Sequence, residues 1–337
     1  MRRIIIKGTN WIGDVFLSLP AVYSLRRIFP GAMIDIALKS PLGELVRGIS
    51  AIDNVLEYEG GLAGDLDLIR RLRGTRYDLG VVFPRSLHAA LLVFFGGATE
   101  RLGYAADGRS PLLTRRVRRT AEIRGVHQSE YYRHIVATLG DPGPLVVPGL
   151  SVAVEAAAWA DRFLRAGGYT DGVLLGINPG AAYGGAKRWH PERFAETADG
   201  LVRELGGSAV IFGGERDREA EDMVARRMKT RPILTAGKTT LGQLIALIAR
   251  CRLFVTNDSG PMHIAAALGV PIVALFGSTN PFTTGPMGRA AIIRHELECS
   301  NCLERDCPTD HRCMGLITVE EVMRAARGML KGGRRGR

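Results

Sequence analysis

The chain has 337 residues, 46% of them hydrophobic and 23% charged, which excludes a disordered polypeptide and is too long for one ordinary domain. Lys and Arg outnumber Asp and Glu by 45 to 34, a formal charge of +11 that favours an anionic partner without naming it. The 42 glycines follow no collagen or low-complexity period and stand mostly at the ends of apolar runs.

In chain order, Arg3–Lys7 reads as a strand, followed by a glycine-containing loop and a helix over 14–29. No signal peptide is expected, because residues 2–14 read as strand and turn rather than a charged start before an apolar run. Residues 32–38 and 79–83 are further strands, continuous in apolar character as buried parallel strands are. The longest apolar stretch, from Ala89 to Phe95, is far too short to cross a bilayer, so a cytoplasmic protein is expected. Arg101, Arg109, Arg115, Arg116, Arg118, Arg119 and Arg124 then crowd what reads as one loop region, either an anion site or a solvated face.

A Gly- and Pro-rich stretch over 140–149 reads as a linker, which sets a first domain at 1–150. The pattern starts again with strands over 172–178, 208–212, 232–234, 253–256 and 271–276, separated by helices. Pro191 opens one helix, Thr240 and Gln243 form a capping box for another, and Thr318 caps a last helix over 318–331. The second domain is expected over 151–315, with residues 316–337 as a terminal helix and basic tail, read as a frayed end. The class is α/β: two Rossmann-like, doubly wound domains, with ligand expected beyond the carboxyl ends of their strands in an interdomain cleft.

Several loops carry candidate chemistry. Gly8 and Gly13 have phosphate-loop spacing, but Asp14 and Val15 stand where Lys and Ser or Thr are needed, so NTP hydrolysis is disfavoured. Asp14, at a helix N-terminus, either complements the helix dipole or serves as a general base. The loop from Asn178 through Gly180, Ala182 and Tyr183 to Lys187 is glycine-rich and ends in a cation, so its amides and Lys187 suit a diphosphate. Asp258, Ser259, Gly260 and His263 open an apolar helix whose N-terminus is an anion site, although Ser259 would also serve as a plain cap. Asp217, past a strand end, suits ribose hydroxyls.

Together these stretches resemble the lipopolysaccharide heptosyltransferases of glycosyltransferase family nine, and the loop ending in Ala186, Lys187, Arg188 and Trp189 looks more like the type II members than type I. The resemblance covers nearly the whole chain. It also rests on Pro84 to Ser86, Arg101 to Tyr104 and Phe212 to Asp217. It implies a GT-B fold with an acceptor-binding first domain, a nucleotide-sugar-binding second domain and a last helix that returns to the first. It implies inverting transfer of L-glycero-D-manno-heptose from ADP-heptose to the first heptose of the inner core, heptosyl-Kdo2-lipid A, at the inner face of the cytoplasmic membrane. Asp14 then matches the base. Lys187, Asp217, Asp258, Ser259, Gly260 and His263, with Ala182 and Tyr183, match the donor site. Arg85 and Ser86, with part of the arginine cluster, match the acceptor site. No metal is required for chemistry and no nucleic-acid partner is implied. Transfer to Kdo2-lipid A by a type I enzyme and a nucleotide-sugar 2-epimerase of similar fold are the alternatives.

Four cysteines fall together: Cys299, Cys302, Cys307 and Cys313, with His311 among them. They read either as a structural zinc site or as reduced, redox-sensitive thiols in a loop. Cys251 reads as core.

Overall fold

The computed structural model describes residues 1–331, which divide into two compact units between Leu150 and Ser151, where the linker stretch ends. The basic tail beyond Lys331 lies outside the described residues.

The first unit holds β1 (Arg3–Lys7), β2 (Met33–Lys39), β3 (Asn54–Tyr58), β4 (Leu79–Val82), β5 (Glu100–Tyr104) and β6 (Arg115–Val117). All pairings are parallel and the order is β3-β2-β1-β4-β5-β6. Ile4, Ile5 and Ile6 of β1 are wholly buried, as β-branched residues are in a central strand covered on both faces. Helix Ile12–Ile28 is buried from Val15 to Leu25 apart from Tyr23, because helix Gln128–Ala137 packs across its outer side. A helix enclosed in this way loses its polar stripe, which is why its sequence reads as apolar nearly all round.

The second unit repeats the plan with β7 (Val173–Asn178), β8 (Gly207–Ile211), β9 (Ile233–Leu234), β10 (Leu253–Asn257), β11 (Ile272–Leu275) and β12 (Ala290–Ile293). Its order is β12-β11-β10-β7-β8-β9, again all parallel, so counting from the first strand of each unit the two sheets are identical. Pro191 stands at the start of helix Pro191–Leu205, and both halves of the Thr240–Gln243 capping box form.

Two expectations are corrected. The last helix, Val319–Lys331, packs on helix Pro191–Leu205, β11 and β12 and falls within the second unit, where the resemblance implied the first. Its Val322 and Ala326 are buried in one cluster with Phe194, Ala198, Leu201 and Leu275, where each large apolar side chain contributes roughly 1.5–3 kcal/mol. Thr318 caps it as expected, its Oγ1 accepting from the Glu321 amide at 3.2 Å. The arginine cluster is not one loop either: Arg101 lies in β5, Arg115 and Arg116 in edge strand β6, and Arg109 is completely buried. Among the described residues no helix is long and apolar enough to cross a membrane.

Candidate active site

In the first sheet the strand order reverses between β1 and β4, and the side chains that follow those strands define its carboxyl edge. Asp14, after β1, occupies the first turn of helix Ile12–Ile28, where the dipole favours a negative charge. The Tyr132 hydroxyl, from helix Gln128–Ala137, donates to Asp14 Oδ1 at 3.2 Å. Burial pushes the Tyr132 phenol well up, the Asp14 carboxylate pushes it further, and Arg85 opposes them. The phenol therefore stays protonated and available as a donor to the carboxylate. No sequence motif marks Tyr132, which reaches Asp14 from 118 residues away in the chain.

Arg85 and Ser86 follow β4 and are both exposed. The Ser86 hydroxyl accepts from the Ala89 amide at 3.3 Å as N-cap of helix Leu87–Phe95, so any ligand there shares it with the helix. Arg119 from the cluster lies 5.8 Å over the Tyr131 ring, one residue from the partner of Asp14. Arg109 serves the scaffold: Nε donates to the Tyr104 carbonyl at 2.8 Å and Nη1 to the Pro84 carbonyl, joining the ends of β4 and β5. Burial lowers its pKa to about 10, so it remains a cation. Arg101 is likewise spent on backbone, donating to the carbonyls of Leu112 and Ala98 at 2.6 and 2.7 Å.

Lys7 was not singled out by the sequence. Its ammonium, at the end of β1, is 2% exposed, donates to the Gly8 carbonyl at 2.6 Å and lies 5.4 Å over the Tyr58 ring. Burial above all, with Lys39 adding repulsion and Asp65 opposing, lowers its pKa to about 7.

The second sheet reverses between β7 and β10, and there the loops are tied together. Asn178 at the end of β7 donates to Thr256 Oγ1 at 3.1 Å and to Ser259 Oγ at 3.0 Å. Asn257 bridges the other way, accepting from the Trp189 amide at 3.0 Å and donating to the Pro179 carbonyl at 2.8 Å. Lys187 Nζ lies 2.6 Å from Asp258 Oδ2, which also accepts from Thr279 Oγ1 at 2.7 Å. The pair is largely buried, and Lys187 also sits 5.0 Å over the exposed Tyr183 ring. Asp258 thus fixes the lysine head in place, while Ala182 lies exposed on the same loop.

Ser259 occupies the N-cap position of helix Gly260–Ala267, yet its hydroxyl makes no capping bond and faces Asn178 and Thr256 instead. His263 is buried one turn into that helix. Asp217 lies beside this loop system: its Oδ1 is 3.6 Å from Arg188 Nη2, and a Cβ on Gly180 would come within 2.5 Å of its carboxyl carbon, so any side chain there would displace the Asp217 carboxylate. Glu221, another residue the sequence did not flag, accepts from the Thr235 and Ala236 amides at 2.7 and 3.0 Å and so fixes the loop after β9.

A strap formed by residues 303–311 supports the glycine-rich loop from behind. The Arg305 carbonyl accepts from the Ala186 amide at 2.9 Å, and the Leu303 carbonyl accepts from Tyr183 Oη at 2.7 Å. Asp306 Oδ1 takes the Gly185 amide at 3.3 Å, and His311 Nε2 lies 3.0 Å from the Ala186 carbonyl. A Cβ on Gly184 would stand 2.2 Å from the Arg305 carbonyl oxygen. The cysteine cluster brackets this strap: Cys299 and Cys302 before it are exposed, Cys307 within it is half-buried and Cys313 after it is buried, all as free thiols. Burial raises the Cys313 thiol, with the other three adding to the shift. Among the described residues no three His, Cys, Asp or Glu side chains converge as a metal site. Cys251 is core, as expected.

Two all-parallel six-stranded sheets of this order are the α/β architecture of GT-B glycosyltransferases. The profile of glycosyltransferase family 9 (heptosyltransferase) matches residues 66–312, and the chain belongs to that family. It is 38% identical to lipooligosaccharide heptosyltransferase 2 of Campylobacter jejuni, over 98% of each chain. It is 33% identical to lipopolysaccharide heptosyltransferase 2 of Escherichia coli K12, over 87% of this chain and 88% of that one. The solved structure of E. coli ADP-heptose LPS heptosyltransferase II aligns with a TM-score of 0.83 at 29% identity, covering 98% of this chain and 99% of that one.

Proposed function

We propose that the enzyme transfers heptose from ADP-heptose to the first heptose of a lipopolysaccharide inner core, heptosyl-Kdo2-lipid A, with inversion at the anomeric carbon. Asp14 takes the proton of the acceptor hydroxyl as that oxygen attacks the anomeric carbon. The bond from that carbon to the diphosphate oxygen breaks on the opposite face, and ADP leaves with the electron pair. Charge on the departing diphosphate is met by Lys187 and by the amides of the glycine-rich loop and of helix Gly260–Ala267, with no metal in the reaction. Gly260, Ser259 and His263 line the sugar–phosphate end, Ala182 and Tyr183 the exposed flank, and Asp217 the ribose. Arg85 and Ser86 meet acidic groups of the acceptor.

The observation that carries this reading is the Lys187–Asp258 pair. A lysine held by a buried carboxylate beside a glycine loop is a preset diphosphate clamp, and likeness to type 2 relatives names the sugar nucleotide. A lipid-linked acceptor further implies a cytoplasmic enzyme peripheral to the inner membrane. The test is ADP release from ADP-heptose with each acceptor, followed by mass analysis. Release that depends on heptosyl-Kdo2-lipid A, with one heptose gained, supports the proposal. Activity only on Kdo2-lipid A makes the enzyme type I, and silence with both removes the donor assignment.

A further inference from the structure

Helices Leu62–Thr75 and Leu87–Phe95 lie side by side and point the same way. Near their starts Asp65 Oδ2 is 2.7 Å from His88 Nε2, and at their ends Arg73 Nε donates to the Phe95 carbonyl at 2.6 Å. Their inner sides supply Leu68, Leu72, Leu92 and Val93 to the core. Their outer sides are not polar. Leu62 is 77% exposed, Phe95 46%, and Leu66, Leu87 and Phe94 are exposed as well. Contiguous apolar surface of this kind marks an interaction site more often than scattered single residues do.

Cations edge the same face. Residues 62, 66, 70 and 73 share one stripe of their helix, so Arg70 and Arg73 continue the line of Leu62 and Leu66. The Arg101 guanidinium lies 5.1 Å over the Phe94 ring. Arg73 and Arg101 donate to backbone carbonyls, and among the described residues neither they nor Arg70 pairs with a carboxylate. The acids on the helix, Asp65 and Asp67, already face His88 and Arg71. Phenylalanines and leucines bordered by uncompensated arginines match the boundary between phosphate headgroups and acyl chains. Helix Leu87–Phe95 also begins at Ser86, so about 13 Å of helix separates the phenylalanines from the acceptor-side residues.

We propose that this two-helix face docks on an anionic bilayer, with Phe94, Phe95, Leu62 and Leu66 entering the interface and the exposed Arg70 and Arg73 meeting lipid phosphates. The proposal deepens the lipid-linked acceptor reading above by naming the surface that reaches it. The test sediments the full chain, without donor or acceptor, with vesicles of phosphatidylethanolamine and phosphatidylglycerol, and with phosphatidylcholine vesicles as the neutral control. Expected is binding to the anionic vesicles that salt weakens. It should drop on the order of tenfold in the Phe94→Ser, Phe95→Ser double variant and severalfold in Arg70→Glu. Leu62→Gln, at the most exposed position, repeats the test should the double variant fail to fold. Turnover of a deacylated acceptor should be unchanged in all three. Undiminished vesicle binding by the variants, equal binding to phosphatidylcholine, or a dimer that the double variant dissolves overturns the proposal. Vesicle binding that responds as stated while no acceptor is turned over leaves this face standing and removes the acceptor reading.

Discussion

The two units share one strand order but hold their candidate residues differently. In the second, Asn178, Asn257, Asp258 and the strap at 303–311 tie three loops into a set geometry. In the first, Arg85 and Ser86 stand exposed, and Asp14 accepts from Tyr132. The contrast fits two kinds of ligand. A nucleotide diphosphate has fixed shape and charge and rewards a preset cradle, whereas a branched sugar acceptor is met by side chains that adjust on arrival.

The largest expected effects test whether the two halves divide the work in this way. Asp14→Asn should lower kcat by about 10²–10⁴ with little change in donor affinity, as loss of a general base does; full activity would end its assignment. Lys187→Ala should cost about 10²–10³ in kcat/KM and weaken ADP binding in calorimetry, whereas a kcat loss with ADP affinity intact would move the clamp elsewhere.

Smaller effects sharpen the contrast. Lys7 has its folded pKa lowered to about 7 from 10.5, so the unfolded chain binds the proton more tightly between those values. Its burial therefore costs stability below about pH 7, and the cost is relieved as pH rises toward 10.5. Lys7→Met should gain roughly 1–2 kcal/mol at neutral pH and flatten the rise of Tm with pH in that window; an unchanged pH slope in thermal melts would refute the buried ammonium. His311→Ala removes one bond from strap to glycine loop, worth about 0.5–1.5 kcal/mol. The donor KM should rise by up to about tenfold with kcat retained, while an equal fall in kcat would mean that the strap does more than position the loop.

Much of the fold was legible because central parallel strands are continuous apolar runs: β1, β2, β4, β7, β8, β10 and β11 stood out, as did the short edge strand β9, the linker and the caps. The strands that escaped notice are mostly edges. Asn54–Tyr58 and Arg115–Val117 mix charge with apolar residues because one side of each faces solvent, and Ala290–Ile293 is short and half-exposed. Glu100–Tyr104 is interior to the sheet, but its Glu and Arg are held by long-range contacts that no local pattern reveals. The site divides likewise. Asp14, Lys187 and Asp258 stood out as candidates because each lies in a glycine-containing stretch that follows a strand. Tyr132, Glu221 and the strap could not, since each acts through contacts with residues distant in sequence. The last helix was assigned to the first domain by the resemblance alone, since its own apolar stripe states that it packs, not against what.

Arg109 separates the route of the loop after β4 from the identity of its side chains. Its guanidinium grips the Pro84 and Tyr104 carbonyls, so the backbone that carries Arg85 and Ser86 is set by a buried residue far along the chain. On the reading proposed above, in which Arg85 and Ser86 meet the acceptor, exchanges at 85, and at 86 among residues that still cap, alter which acidic sugar is recognised without re-laying the loop. A library aimed at new acceptors should vary those two positions while leaving Arg109 untouched.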